Sequence, residues 1–461
     1  MSQRSLRVGN GAGFWGDNLD APFLLARDGR LDVLTLEYLA ELTLAILSHL
    51  RSKDPQAGYV GDFPDLLERL TPILSEQTGL RLVTNAGGLN PRSCVRACAS
   101  ILKTRGQGGT KLGVVTGDDV LGSIPAWLAQ GLALSHMETG EPIDPIVPRL
   151  VSANVYLGAS PISDCLKSDA RVVVTGRVAD ASLTLGPAMA EFGWAWDDWD
   201  RLAGASAAGH IIECGAQASG GLWHEWDRLE DLAGIGYPIA EVREDGSSII
   251  TKAEGSGGLV SEGTVAEQIV YEIDDPSRYR TPDVDVDLTT LRLDGIGPNR
   301  VEVSGTSGRA PGDSLKLAAV YRDGWTASGL LAVAGRSAEA KARAAGKMIL
   351  ERVRRAGIEL EASLVECLGA GDVVAGVLPG NRENLEVVLR VSVRDPRRAA
   401  VDRFCREFAP LVTSGPPGIA GYASGRPSPR PAFGYWPALV PRSLVTSTCE
   451  VRAASEWLRG A

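Results

Sequence analysis

Residues 171–182, with the sequence RVVVTGRVADAS, are the most informative stretch for the fold of this chain. Residues 172–174 are three consecutive valines, which is typical of a strand that is buried on both faces. Glycine and polar residues follow, and residues 182–192 then have the composition of a helix. A buried strand, a short loop and a helix in this order predict one βα unit of a parallel sheet.

The same order of apolar run, polar loop and helical segment recurs along the N-terminal half of the chain. Four further runs of strand length lie at residues 6–8, 33–36, 80–84 and 112–116. Repeated units of this kind predict an α/β fold, with a parallel, Rossmann-like sheet and helices on both of its faces. We assign this α/β domain to residues 1–283.

The chain changes character twice after these runs. Residues 202–263 contain 12 glycines in 62 positions, and we interpret them as an irregular, loop-rich insertion over the sheet. Beyond residue 283, short strands with turn signals precede a helix rich in Ala, Arg, Lys and Glu. Residues 284–461 are therefore predicted to form a second, C-terminal α+β domain.

Charge and composition argue against several classes of protein. A formal net charge of −10 disfavours binding to nucleic acid or to an anionic membrane. No apolar run approaches the ~18 residues of a membrane span, and the N-terminus lacks the apolar core of a secretory signal. Seven scattered cysteines without metal-ligand spacing predict reduced thiols, no metal site and a cytoplasmic location. The expected partner is a small-molecule substrate, and a homo-oligomer is left open.

The loop after the first run contains a glycine pattern of the dinucleotide-binding type. Gly11, Gly13 and Gly16 spell G-x-G-x-x-G, and Glu37 follows at about the expected 20 residues. The carboxylate of Asp17 would repel a pyrophosphate at this place. The loop is a dinucleotide site, a substrate-binding turn or a plain turn. We take Gly11, Gly13, Asp17 and Glu37 as candidate substrate-binding residues.

Polar side chains also follow the later runs, where ligands of open α/β sheets bind. Asn85 and Asn90 follow the third run, Asp118 and Asp119 follow the fourth, and Asn154 lies in a further apolar segment. We predict that these five residues bind the substrate. A helix cap is the alternative for Asn90 and for the two aspartates.

Two further stretches predict a catalytic group. Arg177 and Asp180 follow the valine run, where Arg is suited to bind a carboxylate or phosphate and an ion pair between the two is the alternative. His210 and Glu213 are three residues apart, so one helical turn places both on one face for acid–base chemistry. Cys214 is adjacent and would act as a nucleophile if its pKa were lowered. We take His210, Glu213, Asp180 and Cys214 as candidate catalytic residues and Arg177 as a substrate-binding residue.

Ten stretches of the chain form an ordered set. They are GNGAGFWGD (9–17), LDVLTLEYLAELT (31–43), VTNAGGLNPRSC (83–94), VVTGDD (114–119), SANVYLGA (152–159), VTGRVADASLTLGP (174–187), GHIIECGAQASGG (209–221), GYPIAEV (236–242), GSGGLVSEGTVAEQIVYEIDDPSRYRTPDV (255–284) and FGYWPALVPR (433–442). Together they resemble the acyclic terpene utilisation family, in particular the AtuA N-terminal domain. The resemblance implies a link to the catabolism of geraniol- and citronellol-type isoprenoids, alongside geranyl-CoA carboxylation. It transfers no catalytic residue.

Two departures from the family pattern affect what the resemblance implies. The chain ends without the additional small C-terminal domain that longer relatives carry. Asn18 stands where relatives have an Arg after the first Gly-Asp pair. If that Arg binds an anion, we expect the ligand of this chain to differ.

Three functional hypotheses follow. The leading one is a cytosolic enzyme that acts by acid–base chemistry on a small acyl or isoprenoid substrate, free or CoA-linked, as a hydratase, lyase or hydrolase does. The second is an NAD(P)-dependent oxidoreductase, based on the glycine loop. The third is a non-catalytic partner of an acyl-CoA carboxylase complex. The sequence assigns no cofactor to the leading hypothesis.

Overall fold

The chain folds into two compact units. The first contains the chain up to Val320 and from Tyr435 onward, and the second contains Tyr321–Gly434. The boundary predicted at residue 283 lies within the first unit, and the domain limits drawn from the sequence stay a prediction. The structure is a computed structural model, and it describes residues 4–374, 376–377 and 384–459.

Thirteen α-helices lie in the described residues, and none of them is long and apolar enough to cross a membrane. In chain order they are α1 (Ala21–Asp28), α2 (Glu41–Lys53), α3 (Asp62–Glu76), α4 (Pro91–Thr104), α5 (Ile124–Ala129), α6 (Ser160–Lys167), α7 (Ser182–Phe192), α8 (Trp199–Glu213), α9 (Glu262–Val270), α10 (Ala338–Arg355), α11 (Arg398–Cys405), α12 (Leu411–Ser414) and α13 (Ala454–Trp457).

The same part of the chain contains nineteen β-strands. They are β1 (Ser5–Asn10), β2 (Val33–Leu36), β3 (Arg81–Thr84), β4 (Lys111–Thr116), β5 (Leu150–Val155), β6 (Val172–Thr175), β7 (Pro238–Arg243), β8 (Ser248–Lys252), β9 (Tyr279–Arg280), β10 (Asp285–Asp287), β11 (Arg292–Gly297), β12 (Arg300–Ser304), β13 (Ser307–Arg309), β14 (Ser314–Ala334), β15 (Ala362–Leu368), β16 (Glu386–Asp395), β17 (Ile419–Tyr422), β18 (Arg430–Pro441) and β19 (Thr448–Ala453).

A ten-stranded mixed sheet forms the centre of the first unit, in the order β11-β12-β8-β7-β1-β2-β3-β6-β4-β19. The five strands from β1 to β4 in this order are parallel to their neighbours. The strands that extend the sheet on both sides are antiparallel. The chain is therefore mixed α/β, and the expected parallel, Rossmann-like sheet is not confirmed.

The five apolar runs that the sequence singles out are the five parallel strands. The valine run is β6, which is buried along its whole length, as is β2. Because parallel strands end at the same edge of a sheet, the loops after β1, β2, β3 and β6 lie at one edge. This edge carries most of the predicted site residues.

The glycine-rich stretch at 202–263 is not the irregular insertion that we expected. It begins within α8, which is buried along residues 202–212, and it contributes β7 and β8 to the main sheet. Glycine at position 209 lets α8 approach α7 closely, because a Cβ there would lie 2.8 Å from the carbonyl oxygen of Ala181. The glycines in this helix thus permit tight packing between helices.

A disulfide joins Cys165 in α6 to Cys449 in β19, with a Cα–Cα distance of 5.8 Å. The expectation of seven reduced thiols is therefore wrong for this pair. The two cysteines are 284 residues apart in sequence, and they meet because β19 pairs with β4 beside α6. Sequence spacing gives no sign of such a contact.

The second unit is built on an antiparallel sheet with the order β15-β16-β14-β17. Helices α10 and α11 pack against it, and their apolar side chains form its core with those of the sheet. Phe404 and Phe408 meet edge to face in this core, with ring centroids 5.1 Å apart.

Candidate functional site

The first unit contains a cavity of about 750 Å³, a volume that suits a small molecule. Its wall comes from the loops after β1, β2 and β6, the C-terminal end of α8, residues 271–285 and the start of β14. Seven residues that the sequence predicts for the site line this cavity: Gly13, Glu37, Arg177, Asp180, His210, Glu213 and Cys214.

Arg177 lies at the centre of the polar part of the cavity. Its guanidinium is buried, and Nη1 donates to Asp180 Oδ1 at 2.7 Å and to the carbonyl oxygen of Leu39 at 2.8 Å. The same Nη1 is 3.5 Å from Glu37 Oε1. The guanidinium also stacks on the ring of Tyr156 at 4.0 Å, a cation–π contact. The Arg177–Asp180 ion pair that the sequence left as an alternative is therefore present.

Glu37 is held through one of its two carboxyl oxygens. Oε1 accepts hydrogen bonds from the backbone N–H of Leu39 at 2.8 Å and from the side-chain amide of Asn85. Oε2 is buried and has no partner among the described residues. Burial, and then the negative charge of Asp180, raise the pKa of Glu37 well above its usual value, so burial favours the protonated form of this carboxyl.

His210 and Glu213 lie on one face at the C-terminal end of α8, as their spacing predicts. Nε2 of His210 is 3.2 Å from the carbonyl oxygen of Ile269, which can only accept, so Nε2 carries a proton. Nδ1 is 3.2 Å from Glu213 Oε1. Burial lowers the pKa of His210, whereas burial and the charge of Asp180 raise the pKa of Glu213. The pair therefore holds one further proton, between Nδ1 and Oε1.

The buried carboxyls of this site outnumber its buried cations. Glu37, Asp180 and Glu213 influence one another electrostatically, and Arg177 is the cation that acts on Glu37 and Glu213. Asp180 makes the 2.7 Å contact to Arg177 and is also the most exposed of the three carboxyls. A carboxylate that can accept a proton thus lies beside a carboxyl that can give one.

Cys214 lines the cavity, but its chemistry is not that of a nucleophile. Burial and the nearby Glu213 raise the pKa of the thiol far above its usual value. The thiol therefore stays protonated near neutral pH, and a thiolate is the form that attacks. This environment does not favour the catalytic role predicted for Cys214.

Asp118 and Asn154 lie behind the cavity, not on its wall. Asp118 Oδ2 accepts from the backbone N–H of Arg177 and from the Asn154 side-chain amide, both at 2.8 Å. Gly176 is required here, because a Cβ at this position would collide with the Asp118 carboxylate. Burial raises the pKa of Asp118 to about 6. Both residues brace the loop that carries Arg177, where substrate contact had been predicted.

Asn85, Asn90 and Asp119 also lie off the cavity wall. Asn85 positions the segment after β2, since it bonds Glu37 and accepts from the backbone N–H of Tyr38 at 2.8 Å. Asn90 caps α4, the alternative that its sequence context allowed. Asp119 is half-exposed and is 3.4 Å from the guanidinium of Arg51.

The glycine loop after β1 packs tightly against neighbouring backbone, and one of its N–H groups is bonded within the loop. The backbone N–H of Gly13 donates to Asp17 Oδ2 at 2.8 Å, and a Cβ on Gly13 would lie 2.7 Å from the backbone of Cys214. A Cβ on Gly11 would lie 2.8 Å from the backbone of Pro22. Gly11 and Asp17 do not line the cavity. This geometry does not favour a pyrophosphate on the loop, because the N–H group it would bind is already occupied.

Several lining residues were not singled out from the sequence. Lys316 in β14 is 3.4 Å from Glu41 Oε1, and its ammonium lies 4.9 Å from the ring centre of Tyr156. The hydroxyl of Tyr156 donates to the same Glu41 oxygen at 2.9 Å. A single Lys in an alternating strand carries no sequence signal of its own, whereas Tyr156 lies in one of the ten family-like stretches.

Nine residues between positions 271 and 285 line the cavity. The ring of Tyr279 is 5.3 Å from that of His210 and is half-buried. Glu272 has a φ of 60°, a left-handed conformation that is strained for a residue with a side chain. This strain is invisible in the sequence, although residues 271–284 lie in one of the ten family-like stretches.

Four exposed apolar side chains line the cavity, beside exposed charged ones such as Glu272, Arg280 and Asp313. Phe14, Met137, Tyr271 and Leu439 line it, and each leaves 39–54% of its surface exposed to solvent. Exposed apolar side chains that cluster at a cavity are typical of a binding site for an apolar group.

The chain matches the model of a known family. The model of the family described as acyclic terpene utilisation family protein AtuA matches residues 6–451. The match covers nearly the whole chain, so the chain belongs to this family, and the resemblance noted in the sequence is confirmed. No curated protein matches the chain. No solved structure matches it either.

Proposed function

We propose that this member of the acyclic terpene utilisation family is a cytoplasmic enzyme that moves protons on a small acyl or isoprenoid substrate, free or as a CoA thioester. The observation that carries the proposal is the group formed by Asp180, Glu213 and His210 on the wall of the cavity. Perturbed, mutually coupled acids of this kind concentrate at catalytic sites. Hydratases, lyases and hydrolases are the enzyme classes that we favour.

The three side chains divide the work of acid and base. Asp180, which pairs with Arg177, accepts a proton from the substrate. Glu213 holds a proton near neutral pH because its pKa is raised, and it gives this proton to the substrate. His210 lies behind Glu213, and its Nδ1 shares this proton with Glu213 Oε1.

The shape and lining of the cavity support an amphipathic substrate. Its exposed apolar side chains suit a hydrocarbon chain, and its buried polar end suits an oxygen-bearing group. Lys316 and Arg280 also line the cavity, and Arg280 has no ion-pair partner among the described residues. These cations would attract the carboxylate or phosphate groups of such a substrate.

Entry of solvent deuterium into acyl probes tests the proposal. The probes are geranic and citronellic acid and their CoA thioesters, incubated in D₂O and measured by mass spectrometry. We expect exchange with the wild-type protein, and a loss of about 10²-fold or more in Glu213→Gln and His210→Asn, since general acid–base groups contribute this much.

The matched control is Glu366→Gln, which removes a carboxyl outside the cavity and should leave exchange unchanged. Exchange that survives in both Glu213→Gln and His210→Asn would contradict the proposal. So would the absence of exchange and of turnover with all four probes. In the described residues nothing favours the oxidoreductase or the carboxylase partner over this proposal.

A further inference from the structure

Glu37 has the geometry of a carboxyl group with its proton in a fixed place. Oε1 faces three donors: the Leu39 backbone N–H at 2.8 Å, the Asn85 amide, and Arg177 Nη1 at 3.5 Å. A proton on Oε1 would displace one of them. Oε2 is buried without a partner among the described residues, and Glu37 lines the cavity. A proton on this carboxyl therefore sits on Oε2.

The groups around Glu37 keep that proton in place. Asp180 and Glu213 are acidic, and both raise the pKa of Glu37, as its burial does most of all. Arg177 and Asn85 act in the opposite direction and do not overcome the burial. With its proton on Oε2, Glu37 is a hydrogen-bond donor and not a base.

We propose that Glu37 is a catalytic residue whose Oε2–H donates to the carbonyl oxygen of the substrate, and that the substrate is an enolisable carbonyl compound. This inference rests on the proposed function and narrows its substrate class. A neutral carboxyl in an apolar, buried place can donate to an oxygen that gains negative charge, which is a recurrent way of stabilising an enolate.

The step that this arrangement supports is proton transfer next to a carbonyl group. Asp180 takes a proton from the α-carbon, and the electron pair of the C–H bond becomes the C=C bond of the enolate. The π electrons of the carbonyl group move to its oxygen, where the Glu37 O–H donates. Glu213 then returns a proton to the carbon, and water restores the protonation of both acids, so no other reactant is needed.

Glu37→Gln tests whether Glu37 acts as a hydrogen-bond donor or as a base, because glutamine can donate but cannot act as a base. The amide oxygen must occupy the Oε1 place to keep the bonds from Leu39 and Asn85, so the amide NH₂ takes the Oε2 place and still donates. We expect deuterium exchange into the acyl probes to stay within about tenfold of wild type. Glu37→Met fills a similar volume without a donor and should lose about 10²-fold or more, as the removal of an oxyanion donor does. A loss in Glu37→Gln as large as in Glu37→Met would overturn the inference.

Infrared spectroscopy gives a readout that needs no turnover. A protonated carboxyl absorbs at a different frequency from a carboxylate. Near pH 7, the absorption of protonated carboxyls should therefore be weaker in Glu37→Gln than in the wild-type protein. Glu366→Gln should lose none, because Arg390 keeps Glu366 ionised. Equal absorption in wild type and Glu37→Gln would overturn the inference. A loss of absorption without any exchange in wild type would instead overturn the proposed function and leave Glu37 a donor.

Discussion

The two units of this chain differ in how many arginines their carboxyl groups have as partners, and in the direction in which the pKa of these carboxyls is shifted. In the second unit Glu366 accepts two hydrogen bonds of 2.6 Å from Arg390, and Asp395 accepts two from Arg397 at 2.8 and 2.9 Å. These bonds lower the pKa of both acids. In the cavity of the first unit three carboxyls instead share Arg177, and the pKa of two of them is raised.

The difference shows what an unbalanced set of charges does in a buried place. A carboxylate that accepts two hydrogen bonds from an arginine of its own is stabilised as an anion. Buried carboxyls that lack enough cations keep protons instead, because burial penalises each uncompensated charge. The ion pairs of the second unit thus stabilise ionised carboxylates. The carboxyls of the cavity instead hold protons beside the space that a substrate would occupy.

Removal of the shared arginine should have the largest effect. Arg177→Met removes a buried guanidinium and leaves the partly exposed Asp180 without its ion pair, so we expect a loss of about 3 kcal/mol in the free energy of unfolding of the first unit. Arg390→Met removes a half-exposed arginine and should cost at most about 1 kcal/mol. Urea denaturation measures the free energy of unfolding of both variants. Equal losses in the two variants would contradict the difference that we draw between the two units.

The pH dependence of stability should have opposite signs in the two regions. The folded pKa of Glu37 is raised, so its contribution is full below the unfolded pKa of about 4.3 and is lost as the pH rises towards the folded value. Above a pH of about 4.3, the free energy of unfolding of Glu37→Gln should therefore rise relative to that of wild type by up to about 1.4 kcal/mol per pH unit.

Glu366 is the matched case, since its folded pKa is lowered. Its contribution is present above the unfolded pKa and is lost as the pH falls through the folded value. Glu366→Gln should be less stable than wild type near pH 7 and equal to it in strong acid. Urea titrations from about pH 4 to pH 7 measure both differences, and two differences of the same sign would refute the comparison.

The smallest effect is expected at the surface of α10. Arg354 and Arg355 lower the pKa of Glu351 to about 2, yet all three side chains are exposed and screened by water. We expect Glu351→Gln to leave Tm unchanged in differential scanning calorimetry at about 0.15 M salt. A fall in Tm comparable to that of Arg390→Met would mean that exposed pairs count as much as half-buried ones.

Local features of the fold and the site could be predicted from sequence. The five apolar runs are strands because each is a continuous apolar segment with turn residues at its end. His210 and Glu213 meet because three residues span about one helical turn, and the same spacing brings Arg177 to Asp180.

Features that depend on long-range contact could not be predicted. The mixed order of the sheet depends on β7, β8 and β12, which lie in or beyond a stretch whose glycines suggested loops. The neutral state of Glu37 depends on burial and on Asp180, a residue 143 positions away in the chain. Lys316 reaches the cavity because β14 pairs with β5, and a lone Lys gives no hint of that pairing.

The Cys165–Cys449 disulfide makes a covalent ring of the polypeptide, and the whole of the second unit lies inside it. A cut anywhere inside this ring opens it but releases no fragment while the disulfide is intact. Two cuts, one at each junction of the second unit, would free that unit and still leave the two halves of the first unit in one molecule. The cavity-bearing unit, which is discontinuous in sequence, is in this sense a single covalent body.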